Sequence, residues 1–231
     1  MVDGRRVRGD RTRRAILAKA VDIASVEGLE GLSIGRLATG LGVSKSGLFA
    51  HFGSKQELQL ETIDAAGEIF EQYVWVPVAE TEPGLVRLLA LIDSWFAYFR
   101  SGPFRGGCFF SNVHHEFDSR HGPVHDRIAD QKQRWMDALV AHVRSAQKRG
   151  QLRSEVEPEQ LAFEIDAMGV LANSLWQLRH EAHAFERAWT AVRTRLHDAA
   201  TTSGRRALAE AEIRTASGAA AVDRAKRPPG A

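Results

Sequence analysis

Residues 33–52 read SIGRLATGLGVSKSGLFAHF, and this stretch decides the fold. Two helices of about two turns each are joined by a short connection containing Gly42, the form of a helix-turn-helix. Ala38 is small where the two helices must approach closely. Gly42 can take the positive φ that the sharp turn demands. Ile34 and Leu37 face inward from the first helix, and Val43 and Leu48 are expected to plug the angle between the two. Ser44 stands where an N-cap of the second helix belongs.

Working outward, the preceding residues form an amphipathic helix from about Asp10 or Thr12 to Glu27. Its apolar stripe holds Ile16, Leu17, Ala20, Val21, Ile23 and Ala24, with Gly28 as its C-terminal cap. On the other side, Ser54 followed by Glu57 is a capping box that opens a longer helix, expected to run to around Tyr73 and to stop before Pro77. Apolar residues keep helical spacing through most of the remaining chain. Helices are expected over Gly84–Arg100, Cys108–Phe117, Pro123–Gly150, Pro158–Arg179 and His183–Ala199, with Pro123 at a first turn that tolerates it. The expected fold class is therefore all-α: a three-helix head and a larger helical body, about nine helices in all.

The 231 residues carry 31 Lys and Arg against 29 Asp and Glu, and the net charge of +2 conceals a separation. Residues 1–60 sum to +4, residues 61–203 to −5 and residues 204–231 to +3. A basic front on an acidic body suits a front that meets a polyanion, although a solvated basic arm has the same composition. No apolar run reaches the roughly 18 residues of a membrane span. The opening residues, MVDGRRVRGDRTRR, lack the apolar stretch of a secretory signal. A single cysteine, Cys108, rules out an intramolecular disulfide framework and a thiolate-cluster zinc site, and suits a reducing cytoplasm. The chain divides into a flexible basic arm (1–10), a helix-turn-helix domain (11–56), a body (57–203) and a tail (204–231). The tail is expected to be disordered, because it is rich in Ala, Arg, Gly and Pro and has no sustained apolar stripe.

The flanks of the helix-turn-helix add a more specific signal. GLEGLSI precedes it, and GVSKSGLFAHFGSKQEL runs from its second helix into the long helix that follows. Over residues 11–60 the chain closely resembles the TetR family of bacterial transcriptional regulators. GGCFF in the body is similar to a segment found in some C-terminal domains of that family. The resemblance implies that residues 44–51 are a recognition helix for the major groove of an operator. Lys45, Ser46 and Gly47 would reach base edges and phosphates from its first turn, with Ser44 as its cap. Phe49 stands where the family usually has Tyr; it lacks the hydroxyl that commonly touches phosphate, and as a DNA-binding residue its ring would pack against a sugar. His51 would touch phosphate and Phe52 would be core. Ser33 would cap the first helix of the pair and aim its N-terminus at a phosphate, and Lys55 would meet another with its charge. Arg5, Arg6, Arg8, Arg11, Arg13 and Arg14 would form either an arm that orders on DNA or merely a solvated one.

The aromatic residues concentrate beyond residue 70, enough to build a core and to leave a cavity between helices. By the same resemblance, that cavity would hold a small, hydrophobic or aromatic effector. The candidate contacts are Trp95, Phe99, Cys108, Phe109, Asn112, His115, Trp135, Met168 and Asn173. The Pro158–Arg179 helix is apolar on two faces and so needs a cover for the second, which suggests a twofold four-helix interface. Its expected members are Phe163, Ala167, Val170, Ser174 and Leu178, with Phe185, Trp189 and Val192 from the last helix. Between the stripes, Asp166, Gly169, Asn173 and Gln177 face either the cavity or the dimer seam. Asp93, Glu116 and Asp166 near the aromatics leave room for a cationic amphiphile, and structural ion pairs explain them equally.

Rival functions leave weaker traces. His114, His115, His121 and His125 with Glu116 and Asp118 have metal-ligand chemistry, but Gly122 and Pro123 interrupt them. His180-Glu181-Ala182-His183 is one residue short of the metalloprotease spacing. There is no Ser/His/Asp signature, phosphate loop or dinucleotide fingerprint. The sequence thus points to an operator-binding homodimer, most simply a ligand-released repressor, with no catalysis, no cofactor, no metal and no membrane. The alternatives are an effector-independent architectural DNA binder and a His-rich metal sensor or metalloenzyme.

Overall fold

The computed structural model describes residues 4–211, and every regular element among them is a helix. Helix α1 (Gly4–Gly31) starts earlier than expected, since the Arg-rich run before Thr12 contains good helix formers and no stop signal. The side chains of Arg5, Arg6 and Arg8 lie outside the described residues, as do residues 1–3 and 212–231. At Gly28 the backbone takes φ 75° and ψ 169°, so the residues from Leu29 to Gly31 form a separate turn beyond a bend.

Helices α2 (Ile34–Leu41) and α3 (Lys45–Phe52) form the helix-turn-helix, and α4 (Lys55–Phe70) leads out of it. The caps fall where the sequence places them. The Arg36 amide donates to Ser33 Oγ at 3.2 Å, the Gly47 amide to Ser44 Oγ at 3.1 Å and the Glu57 amide to Ser54 Oγ at 3.0 Å. Gly42 has φ 66°, and the turn closes with the Val43 amide on the Ala38 carbonyl at 3.0 Å. Ile16, Ala20, Leu32, Ile34, Leu37, Leu48, Phe52 and Leu58 make a small core belonging to the head alone. Val43 is not part of it. The left-handed residue before it turns its side chain outward, leaving it 40% exposed, and Leu48 fills the interhelical angle.

Beyond α4 the chain does not continue as an α-helix to Tyr73. A π turn, Glu71–Trp75, and a 3-10 turn, Val76–Val78, intervene before α5 (Leu85–Ser101). Then come α6 (Phe109–Phe117), α7 (Pro123–Lys148), α8 (Pro158–Arg179) and α9 (Ala184–Ala199), close to the expected bounds. Their apolar faces merge with those of α1 and α4 in one large core, which includes Leu91, Ile92, Phe109, Leu139, Leu161 and Val192.

The region beyond residue 203 departs from expectation. Residues 202–211 form a helix, α10, whose Gly204 amide donates to Thr201 Oγ1 at 3.1 Å. Leu208 and Ala211, one helical turn apart, are buried in the body core. Two apolar residues at that spacing suffice once a preformed surface receives them, although they are too few to announce a helix by periodicity. The expected disorder therefore fails for residues 204–211, and residues 212–231 lie outside the described part. Replacing Leu208 with Ala should lower unfolding stability by about 2–4 kcal/mol, read from the urea midpoint. An unchanged midpoint would show that α10 contributes no packing.

Candidate nucleic-acid interface and effector cavity

The head presents α3 to solvent by burying the opposite side. Leu48 and Phe52 anchor α3 in the head core, while Ser44, Lys45, Ser46 and Gly47 are exposed at its first turn. Residues 31–56 contain no acidic residue and include Arg36, Lys45 and Lys55, so no carboxylate of this stretch opposes a phosphate. The Lys45 stem lies across Gly35, where an added Cβ would meet Lys45 Cε at 3.2 Å. The His51 ring is part-buried beside Phe52, and the side chain of Phe49 lies outside the described residues.

Two expected DNA-facing cations have partners inside the protein. Arg13 donates to the His51 carbonyl and to the Glu61 carboxylate, and its guanidinium lies over the Phe52 ring at 4.8 Å. It clamps α1 onto α3 and α4 and is no part of a free arm. Lys55 Nζ sits 3.0 Å from both the carbonyl and the carboxylate of Glu30. Those hydrogen bonds first, then Gln59 and the charge of Arg120, hold the Glu30 carboxyl below its usual range.

The head is fastened to the body mainly through α6. Both oxygens of Glu116 accept main-chain hydrogen bonds just past the bend in α1, from the Leu29 amide at 2.8 Å and the Glu30 amide at 2.7 Å. A Cβ on Gly28 would stand 2.5 Å from this carboxylate, so the bend and the cap require each other. Asn112 donates to the Ser25 and Gly106 carbonyls. Gly106 approaches so closely that an added Cβ would lie 1.9 Å from the Ser25 oxygen. Arg105 grips Asp22 with hydrogen bonds of 2.8–3.1 Å and lowers its carboxyl pKa.

The other side of α6 borders a cavity of about 550 Å³ enclosed by α4, the π turn, α5, α6, α7 and α8. Of the expected effector contacts, Trp95, Phe99, Cys108 and Trp135 line it. Phe109 does not, because it points one-third of a turn away from Phe110 and is wholly buried in the core. Asn112 is committed to the head and His115 is exposed; His114, one residue earlier, is the histidine that faces the cavity. Met168 packs against the core, and Asn173, 3% exposed, lies within the protein away from the lining. The line of small polar residues on α8 thus faces inward: Asp166 reaches the cavity, while Gly169 makes room for Trp95. Of the three acids near the aromatics, only Asp166 belongs to the lining.

Sequence reasoning missed the contribution of α4 and the turn after it: Asp64, Gly67, Glu68, Phe70, Glu71 and Trp75. A π turn takes more residues per turn than an α-helix, so its rotation brings Trp75 beside Trp135, with ring centroids 5.7 Å apart. No α-helical wheel contains that rotation. At the inner end, Asp166 accepts from Trp135 Nε1 at 2.9 Å and from Lys132 Nζ. Burial, helped by the nearby Lys132 charge, holds the His114 pKa down at about 4, and its Nε2 has no hydrogen-bond partner. Burial likewise pushes the Cys108 thiol up, which keeps it protonated and unreactive.

The outer face of α8 has an apolar stripe at helical spacing, with Phe163 62%, Leu171 60% and Leu178 80% exposed, and with exposed Ala167 between them. Leu171 was not among the expected interface residues. Three that were belong elsewhere. Phe185 and Val192 are buried on the inner face of α9, and Val170 lines the cavity. Trp189 is partly buried against Phe96. The outward residues of α9 are polar, among them Glu186, Arg187, Thr190 and Thr194. Among the described residues, no three metal-ligating side chains converge, and of the histidines between residues 114 and 125 His121 and His125 approach as a pair, with ring centroids 6.1 Å apart.

A helix-turn-helix head joined to a helical body around a ligand-sized cavity is the architecture of a DNA-binding transcriptional regulator. The chain belongs to the TetR family. Residues 16–62 match the family described as bacterial regulatory proteins, tetR family, and residues 84–192 match the tetracyclin repressor-like C-terminal domain. No curated protein sequence matches the chain. Among solved structures, a TetR transcriptional regulator from Chloroflexus aurantiacus J-10-FL superposes with a TM-score of 0.78 at 27% identity, over 84% of this chain and 98% of that one. AibR, solved with isovaleryl coenzyme A and operator DNA, shares the fold with a TM-score of 0.62 at 23% identity, over 77% of this chain and 96% of that one. A transcriptional regulator from Saccharomonospora viridis in complex with choline shares it with a TM-score of 0.69 at 19% identity, over 83% and 98%.

The neutral His114 gives a pH signature. Its folded pKa of about 4 lies below the ordinary 6.5, so the unfolded chain binds the proton first and stability falls as pH drops from 6.5 toward 4. The size of the loss is about 2–3 kcal/mol. Replacing His114 with Gln should remove that share of the acid destabilisation in urea titrations at pH 7 and pH 4.5. An equal loss in both proteins would contradict the burial argument.

Proposed function

We propose that the protein is a repressor that binds a pseudo-palindromic operator as a homodimer and lets go when a small molecule fills the body cavity. The observation that carries this reading is the two-sidedness of α6. Phe110, Ser111 and His114 border the cavity, while on its other side Glu116 accepts the amides of the turn beyond the bend in α1 and Asn112 donates to the Ser25 carbonyl just before that bend. A ligand that moves α6 disturbs the hydrogen bonds that set the angle of the head. A coupling of about 1–3 kcal/mol is sufficient to change operator affinity 5–150-fold. The cavity volume, about 550 Å³, falls within the usual range for small-molecule sites. This favours an effector-responsive protein over an architectural DNA binder. The solved relatives that hold isovaleryl coenzyme A or choline are consistent with a ligand in this body.

In this reading Lys45, Ser46 and Gly47 meet base edges and phosphates in the major groove, the α2 N-terminus at Ser33 and the His51 ring meet phosphates, and Lys55 does so only by leaving Glu30. The exposed stripe of Phe163, Ala167, Leu171 and Leu178 is the twofold seam, covered by the same helix of a second copy. The protein works in the cytoplasm beside the chromosome and performs no catalysis.

Fluorescence anisotropy on an operator selected from random-sequence DNA tests this. Replacing Lys45 with Ala should weaken binding and make the log–log salt slope shallower by about 1. Replacing Leu178 with Glu should give a monomer by sedimentation and abolish high-affinity binding. An unchanged salt slope would remove α3 from the interface, and a dimeric Leu178→Glu would remove α8 from the seam.

A further inference from the structure

The walls of the cavity narrow the chemistry of its ligand. Six rings, those of Phe70, Trp75, Trp95, Phe99, Phe110 and Trp135, contribute to its lining. They form a contiguous shell around Trp135: the centroid of Trp95 lies 4.7 Å from it, that of Phe70 5.6 Å and that of Trp75 5.7 Å. The face of each ring carries the negative side of an aromatic quadrupole, and Trp is the strongest partner for a cation.

The charged groups have the same bias. Four carboxylates line the cavity, those of Asp64, Glu68, Glu71 and Asp166, against two cations, Lys132 and Arg134. Asp64 is paired with Arg127 on the outside of the lining, and Lys132 with Asp166 at the inner end. Glu68 and Glu71 stand exposed at the rim with no ion pair among the described residues, and Arg134 is also exposed. An entering anion would find no counter-charge among the six rings. To gain a counter-charge inside, it would have to take Lys132 from Asp166 and leave a largely buried carboxylate with only its Trp135 hydrogen bond, a costly exchange. A cation meets no such barrier. It can lie against the rings, passes two unpaired carboxylates at the entrance, and leaves the internal pair intact.

We infer that the cavity takes a lipophilic organic cation, an onium or delocalised positive charge carried on an aromatic or aliphatic body. This rests on the reading of the cavity as the effector site and adds the class of molecule that fills it. Neutral His114 fits the same chemistry, since it adds no positive charge to the inner wall.

The test uses the full chain and two probes of similar size and opposite charge, tetraphenylphosphonium and tetraphenylborate, titrated by calorimetry. The phosphonium should bind one per chain and about tenfold or more tightly than the borate. The rim double variant Glu68→Gln/Glu71→Gln should weaken phosphonium binding several-fold and leave borate binding unchanged or improved. Filling the cavity by Ser111→Trp should abolish phosphonium binding. Borate binding as tight as phosphonium binding, no saturable binding of phosphonium, or phosphonium binding unaffected by Ser111→Trp would each overturn the inference. Operator release is scored separately in the same samples. If the phosphonium binds as expected but the operator stays bound, the cation preference stands and ligand-released repression falls. If a neutral or anionic molecule releases the operator while the phosphonium does not bind, the reverse holds.

Discussion

The carboxylate of Glu116, accepting the amides of Leu29 and Glu30, is the contact on which the rest of the molecule depends. A helix bent at a glycine exposes main-chain donors that need a partner, and here the partner comes from another part of the chain. The same turn is held from the head side by the Gln59 amide on the Leu29 carbonyl at 2.9 Å and by Lys55 on Glu30. Three helices, α1, α4 and α6, therefore meet at one short turn. The position of α2 and α3 relative to the body is set there, because the head has a small core of its own and contacts the body mostly through α1 and α4.

This arrangement makes α6 a shared part. At nine residues it is a short helix, with one side committed to the cavity, one to the body core and one to the head. A helix so placed cannot turn to accommodate a ligand without moving Glu116 and Asn112. The energy required is small beside the stability of a domain, and the contacts at stake are a few hydrogen bonds and the Asp22–Arg105 pair. The cavity itself is stabilised by the aromatic shell and by the Lys132–Asp166–Trp135 network.

Much of this was legible in the residues, for reasons that can be stated. Caps and turns are local: Ser33, Gly42, Ser44 and Ser54 act on amides within three or four positions of themselves, and the structure places them as read. Helix bounds from Leu85 to Ala199 follow from apolar period and from Gly and Pro breaks. What failed needed information from elsewhere in the fold. The choice between His114 and His115 is a rotation of 100° on a helix that is apolar on more than one side. Phe185 and Val192 look as suited to a seam as Phe163 does until the inner face of α9 is known. Leu208 and Ala211 form a helix because a surface is waiting for them. Trp75 enters the cavity through a π turn that no periodicity announces, and Arg13 became a clamp because Glu61 and Phe52 lie across from it.

The central claim is that cavity and head communicate through α6 and the Glu116 cap. A double-mutant cycle on operator affinity tests it without any ligand. Ser111→Trp fills the cavity from α6, and Glu116→Ala removes the cap. If the account holds, Ser111→Trp alone weakens operator binding at least several-fold and has little further effect once Glu116 is Ala, so the two changes are strongly non-additive. Additive effects, with Ser111→Trp weakening binding equally in both backgrounds, would contradict it.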